Sequence, residues 1–227
     1  MKTLIKFVMC LMMFSPVLAN DIYVTQSGNT LTFDVLQDGQ NNTIGNSTTA
    51  STVTGATSNF NIDQVGDSNV LTFDINGASY TGVINLVGNS NNVDLNCDST
   101  GNNSSCGTAN AVINFTGNSN DIDLDIGQTS SANTADVDIV GQSGSDSNVV
   151  AATIDGNSAI LTITVNGDTN NYLIDIDGNG DINGHTLIHS HTGGTADVDI
   201  TQSGINDQYI NLTTSGDNHD IDIQQTD

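Results

Sequence analysis

The stretch Asp175–Asn183 reads DIDGNGDIN, and its oxygen-bearing side chains fall at alternate places. Asp175, Asp177, Asn179 and Asp181, with Gly180 for a sharp turn and Ile182 as an aliphatic anchor, suit a hard cation such as calcium. The twelfth place holds Thr186 rather than Glu, and strand-like patterns flank the loop. An ordinary Gly/Asn turn between Asp-bearing strands is the competing reading. The pattern requires no cofactor, and calcium is the one candidate. Just downstream, HTLIHSH carries His185, His189 and His191. His189 and His191 share one strand face and could chelate zinc, copper or nickel. Plain histidines on a wet strand are the alternative.

Other chemistry is poorly supported. Ser and Asp occur everywhere, so no Ser/His/Asp order stands out. No Lys or Arg follows Lys6 to stabilise an anionic transition state. An enzyme is not expected. Cys97 and Cys106 flank a Gly/Asn/Ser turn in CDSTGNNSSC. In an exported protein, one disulfide between them is the simplest expectation, stabilising by roughly 2–3 kcal/mol in the chain-entropy picture.

Export is expected from the N-terminus. Residues 1–19 read MKTLIKFVMCLMMFSPVLA: two lysines, a short apolar run, then Val17 and Ala19 at the cleavage positions. This reads as a secretory signal peptide, too short to span a bilayer, with cleavage after Ala19. Residues 20–227 then form one domain, secreted to the medium or the cell surface. That part has no Lys, Arg, Pro, Met, Glu or Trp, and all 26 acidic residues are Asp. Removing Lys2 and Lys6 takes the net charge from −24 to −26. Such a chain cannot grip nucleic acid through its phosphates. No membrane insertion is expected once the leader is gone. Its partners are cations, cationic surfaces, related repeat subunits, or copies of itself with the charge screened.

Ile, Val, Leu and Phe alternate with polar residues, and strong helix formers are scarce, so the chain reads as all-β. Glycines punctuate it at 11 or 12 residues, as in Gly66, Gly77 and Gly88, or Gly144, Gly156, Gly167 and Gly178. Asn recurs three places after the glycine, and apolar residues five, seven and nine places after it. Each unit is strand–turn–strand with a half-period of about 11 and a period of about 22. One unit buries too little apolar surface to stand alone, so the units must stack. About eight stacked repeats, a β-solenoid, account for the chain. Residues 43–58, 98–109, 127–134 and 178–194 read as loop insertions. The inner register conflicts between Leu187 and Ile188, which calls for a bulge or loop between about 182 and 194.

Gln-x-Gly-x-x-Asn stands intact at Gln37-Asp-Gly39-Gln-Asn-Asn42 and at Gln64-Val-Gly66-Asp-Ser-Asn69, with partial copies at Gln26, Gln142 and Gln202. With a period of 22, the chain resembles the curlin repeats of curli, the extracellular functional amyloid of biofilms. The resemblance implies a fibre-forming extracellular subunit active in surface coating, cell adhesion or biofilm matrix. Stacking independently predicts that buried amides meet their own copies about 4.8 Å away. Gln37, Asn42, Gln64, Asn69, Asn91, Asn120, Asn170 and Gln202 are the expected ladder. Asn as a mere turn residue is the alternative.

In GNSNDIDLDIG, Gly117–Gly127, the inner residues are Asn120, Ile122, Leu124 and Ile126, so Asp121, Asp123 and Asp125 point outward. Outward Asp is expected also at Asp74, Asp136, Asp138, Asp175, Asp177, Asp197, Asp199 and Asp222. Stacked Asp columns would oppose premature pairing, and calcium, salt or acid would release assembly. A monomeric acidic solenoid adhesin ordered by cations is the alternative function. An ice- or sugar-binding solenoid is the third, but Thr162 and Thr164 give only one Thr-x-Thr pair.

Overall fold

A computed structural model describes residues 21–39, 42–45, 50–66, 68–97, 107–127, 134–142, 144–156, 158–177, 185–204 and 208–226. Their strands are β1 Asp21–Ile22, β2 Thr25–Asp38, β3 Thr43–Ile44, β4 Ser51–Val65, β5 Val70–Val87, β6 Asn92–Cys97, β7 Thr108–Thr116 and β8 Asp121–Ile126. Then follow β9 Thr134–Gly141, β10 Val149–Asp155, β11 Ala159–Asn166, β12 Asn170–Asp177, β13 Thr186–Thr192, β14 Ala196–Ser203, β15 Tyr209–Ser215 and β16 His219–Thr226. No helix occurs among the described residues.

Every strand pairing is parallel, and the chain is a β-solenoid. β5 runs continuously across both faces of the stack. From its first half, β6, β8, β10, β12, β14 and β16 follow in order. From its second half, β7, β9, β11, β13 and β15 follow. The regular stack from β5 onward thus has six turns, where the spacing of the whole chain predicted about eight. β1 to β4 add the N-terminal turns. The advance per turn is 22 residues at some corners but 27, 28 or 29 at others. Insertions between strands, not the strands themselves, lengthen it.

The alternation in sequence is realised as burial. β6 to β8 and β10 to β14 bury every second residue. Their inner side chains form one core running the length of the stack, from Ile44 through Ile122 and Ile154 to Ile200. Each such aliphatic contributes roughly 1.5–3 kcal/mol by leaving water. Near the N-terminal end the core is aromatic. Phe60 meets Phe73 edge-on at 4.8 Å and Tyr80 at 5.3 Å, linking the two faces.

Two expectations need correcting and one is narrowed. Much of 43–58 and 178–194 is strand, not loop, because Ser51, Val53, Leu187, His189 and His191 alternate inward. The parity conflict near Leu187 is resolved by a loop, not a bulge, placed at the C-terminal edge of the expected range. Leu187 is buried and Ile188 outward, and the corner Gly193–Thr195 resets the parity before Ala196. The outward Asp do not form continuous like-charge columns. Among the described residues, only Asp94/Asp123, Asp155/Asp177, Asp197/Asp220 and Asp199/Asp222 are register neighbours. Elsewhere uncharged residues stand between: Val149 lies beside Asp121 and Ala151 beside Asp123, while Asn61 donates to Asp34 at 3.0 Å and Asn85 donates to Asp63.

Candidate functional site

The corner leading into β5, β6, β8, β10 and β12 repeats one local device. Ser68, Ser90, Ser119, Ser147 and Thr169 hold φ near +60°, and each directly precedes an Asn. The left-handed residue is therefore the Ser or Thr, not the Asn that follows it. Such a conformation costs of order 1–3 kcal/mol unless its surroundings compensate. Here stacked corners pair with one another: Ser68 N–H donates to the Asn89 carbonyl and Ser90 N–H to the Asn118 carbonyl, at 2.8 and 2.9 Å.

The Asn after it begins the inner face and is buried at Asn69, Asn91, Asn120, Asn148 and Asn170, and buried Asn42 heads the same column. Its Oδ1 accepts the backbone N–H of the Asn one turn earlier. The distances are 3.1 Å for Asn42 to Asn69, 2.9 Å for Asn69 to Asn91 and 3.0 Å for Asn91 to Asn120. The spine continues at 2.8 Å from Asn120 to Asn148 and 2.9 Å from Asn148 to Asn170. The Nδ2 of Asn69, Asn91, Asn120 and Asn170 closes its own corner on the glycine carbonyl three residues back. The ladder is thus mainly side chain to backbone, not amide to amide as the repeat suggested. This arrangement satisfies backbone groups that a corner would otherwise strand.

A second column runs on the solvent side of the same corners with opposite polarity. Asn89 Oδ1 accepts from Asn118 N–H at 2.7 Å, Asn118 Oδ1 from Asp146 N–H at 2.9 Å and Asp146 Oδ1 from Asp168 N–H at 2.6 Å. Asp168 continues it to the Gly194 N–H. Glycine-based alignment missed this column, and with it Asn148, which lies four residues after Gly144 rather than three. The triplet Asp/Asn–Ser/Thr–Asn, as in Asp146-Ser147-Asn148, is the signal that finds both columns from Asn69 to Asn170.

The glutamines form separate pairs. Gln64 Nε2 donates to Gln37 Oε1 at 2.7 Å, and Gln37 Nε2 to the Thr43 carbonyl at 3.4 Å. Gln202 stands on the other face, near the far end. It accepts from Gln225 Nε2 at 3.1 Å and donates to the His185 carbonyl at 3.3 Å.

The proposed calcium ligands are not assembled by the described residues. Asp175 and Asp177 lie outward on β12, and Asp177 accepts from Ser203 Oγ at 3.0 Å. Asn179 and Asp181 lie outside the described residues. Among those described, no group of three or more His, Cys, Asp or Glu could hold a metal ion. Cys97 is buried at the end of β6, and Cys106 lies outside the described residues, as do residues 1–19, where the leader is expected. The histidines are not on a wet face. His185, His189 and His191 are buried in the core. His185 Nδ1 accepts the Ala159 N–H at 3.0 Å.

No family model, curated protein or solved structure matches this chain. No helix among the described residues is long and apolar enough to cross a membrane.

The remaining site-like feature is the pair of ends. Among the described residues, β15 pairs only with β13, β16 only with β14, and β2 only with β4. At one end Leu31, Phe33 and Val35 are only partly buried. At the other, Ile221 and Ile223 of β16 are 37% and 48% exposed, although the equivalent residues of β14, Val198 and Ile200, are fully covered. Both ends leave unpaired backbone edges.

Proposed function

We propose that the protein is a self-associating extracellular structural subunit, a curli-like fibre or surface-assembly component, whose copies stack end to end. The observation that carries this reading is the match between the two open ends. Four inner columns can be followed turn by turn through the register: from Ile221 of β16 back to β1, from Gln225 of β16 back to β2, and from Ile210 and Leu212 of β15 back to β2. Ile221 shares its column with Ile22, Gln225 with Gln26, Leu212 with Val35 and Ile210 with Phe33. A second copy continuing the stack would set apolar on apolar. It would also pair backbone edges that otherwise face water.

This reading assigns the chain no enzymatic role. The inner face is filled by side chains that hold the stack together, and the outer faces carry Asp, Asn and Thr without a basic partner. Secretion by the leader, a Cys97–Cys106 disulfide and a role in adhesion or biofilm matrix belong to the same reading.

The test uses the leader-free chain and a variant with Leu212→Lys and Ile223→Lys. Both positions belong to the open end, where added charge is tolerated in the monomer but would be buried in a seam. The unmodified chain should elongate into fibres that bind amyloid dyes and sediment. The variant should keep its β circular dichroism and lose elongation at least tenfold. A wild-type chain that stays monomeric at high concentration and in salt would overturn the reading.

A further inference from the structure

We propose that the last turns of the solenoid, β13 to β16, form an acid-sensitive closure: proton uptake at His189 and His191 loosens them while the stack from β5 to β10 stays paired.

The geometry is unusual for histidine. The column through His189 otherwise reads Ile84, Ile113, Ile139, Ile163 and Leu212. His189 and His191 are both 0% exposed. Neither ring nitrogen of His189 has a hydrogen-bond partner among the described residues. Its ring lies edge-on to Tyr172 at 4.4 Å. His191 Nδ1 lies 3.0 Å from the Tyr172 hydroxyl, and its Nε2 has no partner among the described residues. An imidazolium presents two N–H donors and a charge, and this site offers at most one acceptor.

The groups facing the pair supply little counter-charge. From β12 comes Tyr172, whose hydroxyl burial keeps protonated by pushing its pKa up. From β16 comes His219, its ring 5.3 Å from His191, with neither of its nitrogens partnered among the described residues. β11 presents Ile163 and Val165, β15 presents Leu212 and Thr214, and β14 presents Val198, Ile200 and Gln202. The corner residue Asp168 is the one carboxylate that favours charge on His191, and it is outweighed by burial and by His219. Burial first, then His191, lowers the His189 pKa from 6.5 to about 4. The unfolded chain therefore binds this proton more readily than the folded one. Stability from neutral His189 is present above pH 6.5 and declines as pH falls toward 4.

Loosening need not disrupt the rest. β15 and β16 pair on one side only, so the terminal turns can open without breaking a stack on both sides.

Hydrogen exchange read by mass spectrometry on the monomeric leader-free chain, at pH 7.5 and 5.0 and corrected for intrinsic rates, tests this. Protection in β13 to β16 should fall about 30-fold from His189 alone, given the pKa values of 6.5 and about 4. β5 to β10 should show no such loss. His189→Leu with His191→Val, which copy the neighbouring Leu212 and Val165 of the same columns, should abolish the drop. Uniform loss along the stack, no loss at β13 to β16, or a drop retained in the double variant would overturn the proposal. If the double variant fails to fold, ring titration of the wild type by NMR decides. Midpoints well below 6.5 for His189 and His191 support it, and ordinary midpoints overturn it.

Discussion

Asn120 Oδ1 receives the backbone N–H of Asn91 at 3.0 Å, while Asn91 Nδ2 reaches the Gly88 carbonyl of its own corner at 3.0 Å. One buried amide therefore ties a corner to itself, and the next amide ties that corner to its neighbour. Asn91→Ala strands the Asn69 N–H and the Gly88 carbonyl together. Urea denaturation should show a loss of about 2–4 kcal/mol. Asn89 makes its corner bond on the exposed side, at 2.7 Å, and Asn89→Ala should cost under about 1 kcal/mol. Equal losses would mean that the buried spine has no special weight.

Acid should strengthen the middle of the stack. Burial, then Asp125, Asp94 and Asp121, raise the Asp123 pKa from 3.8 to about 6. The folded state holds this proton more tightly than the unfolded state does. The resulting stability is complete below about pH 4 and lost as pH rises through about 6. Burial likewise raises Asp74, Asp125 and Asp175. Amide protection in β6 and β8 should therefore rise between pH 7 and 5, and Asp123→Asn should flatten that response. No rise in the wild type would show that the acidic face is fully hydrated.

The passage from one face to the other within β5 depends on contact between backbones. A Cβ on Gly77 would lie 1.9 Å from the Gly55 carbonyl oxygen, and one on Gly55 would lie 2.3 Å from that of Gly28. Backbone cannot yield as a side-chain tip can. Gly77→Ala should destabilise by about 2–3 kcal/mol in thermal or urea unfolding. A neutral result would require β4 and β5 to separate there, which hydrogen exchange at the flanking register pairs Thr54/Asn76 and Thr57/Ser79 would reveal.

Assembly should respond steeply to salt. Residues 20–227 carry −26, so two copies repel before their edges can pair. Raising ionic strength from 0.01 to 0.15 M shortens the screening length from about 30 to about 8 Å. Elongation monitored by dye fluorescence should accelerate at least tenfold over that range. A rate indifferent to salt would show that charge does not limit the encounter.

The two-residue alternation, the glycines at corners and the recurrent Asn determined the all-β solenoid and the inner place of Ile122, Leu124 and Ile126, because strand amphipathicity and corner chemistry are local. The outward Asp could be read in the same way. What those Asp meet could not, because neighbours in a stack lie 22 to 29 residues apart and the intervening insertions set the register. So Asp94 lands beside Asp123, but Asp175 lands between Thr153 and Thr201. The same dependence hid Asn148, displaced by one residue from its glycine. It also hid the inward turn of His189 and His191, which the parity of the corner at Gly193–Thr195 permits. Tertiary structure alone decided that an amide of one turn would meet a backbone N–H of the turn before, because only stacking brings the two to one place.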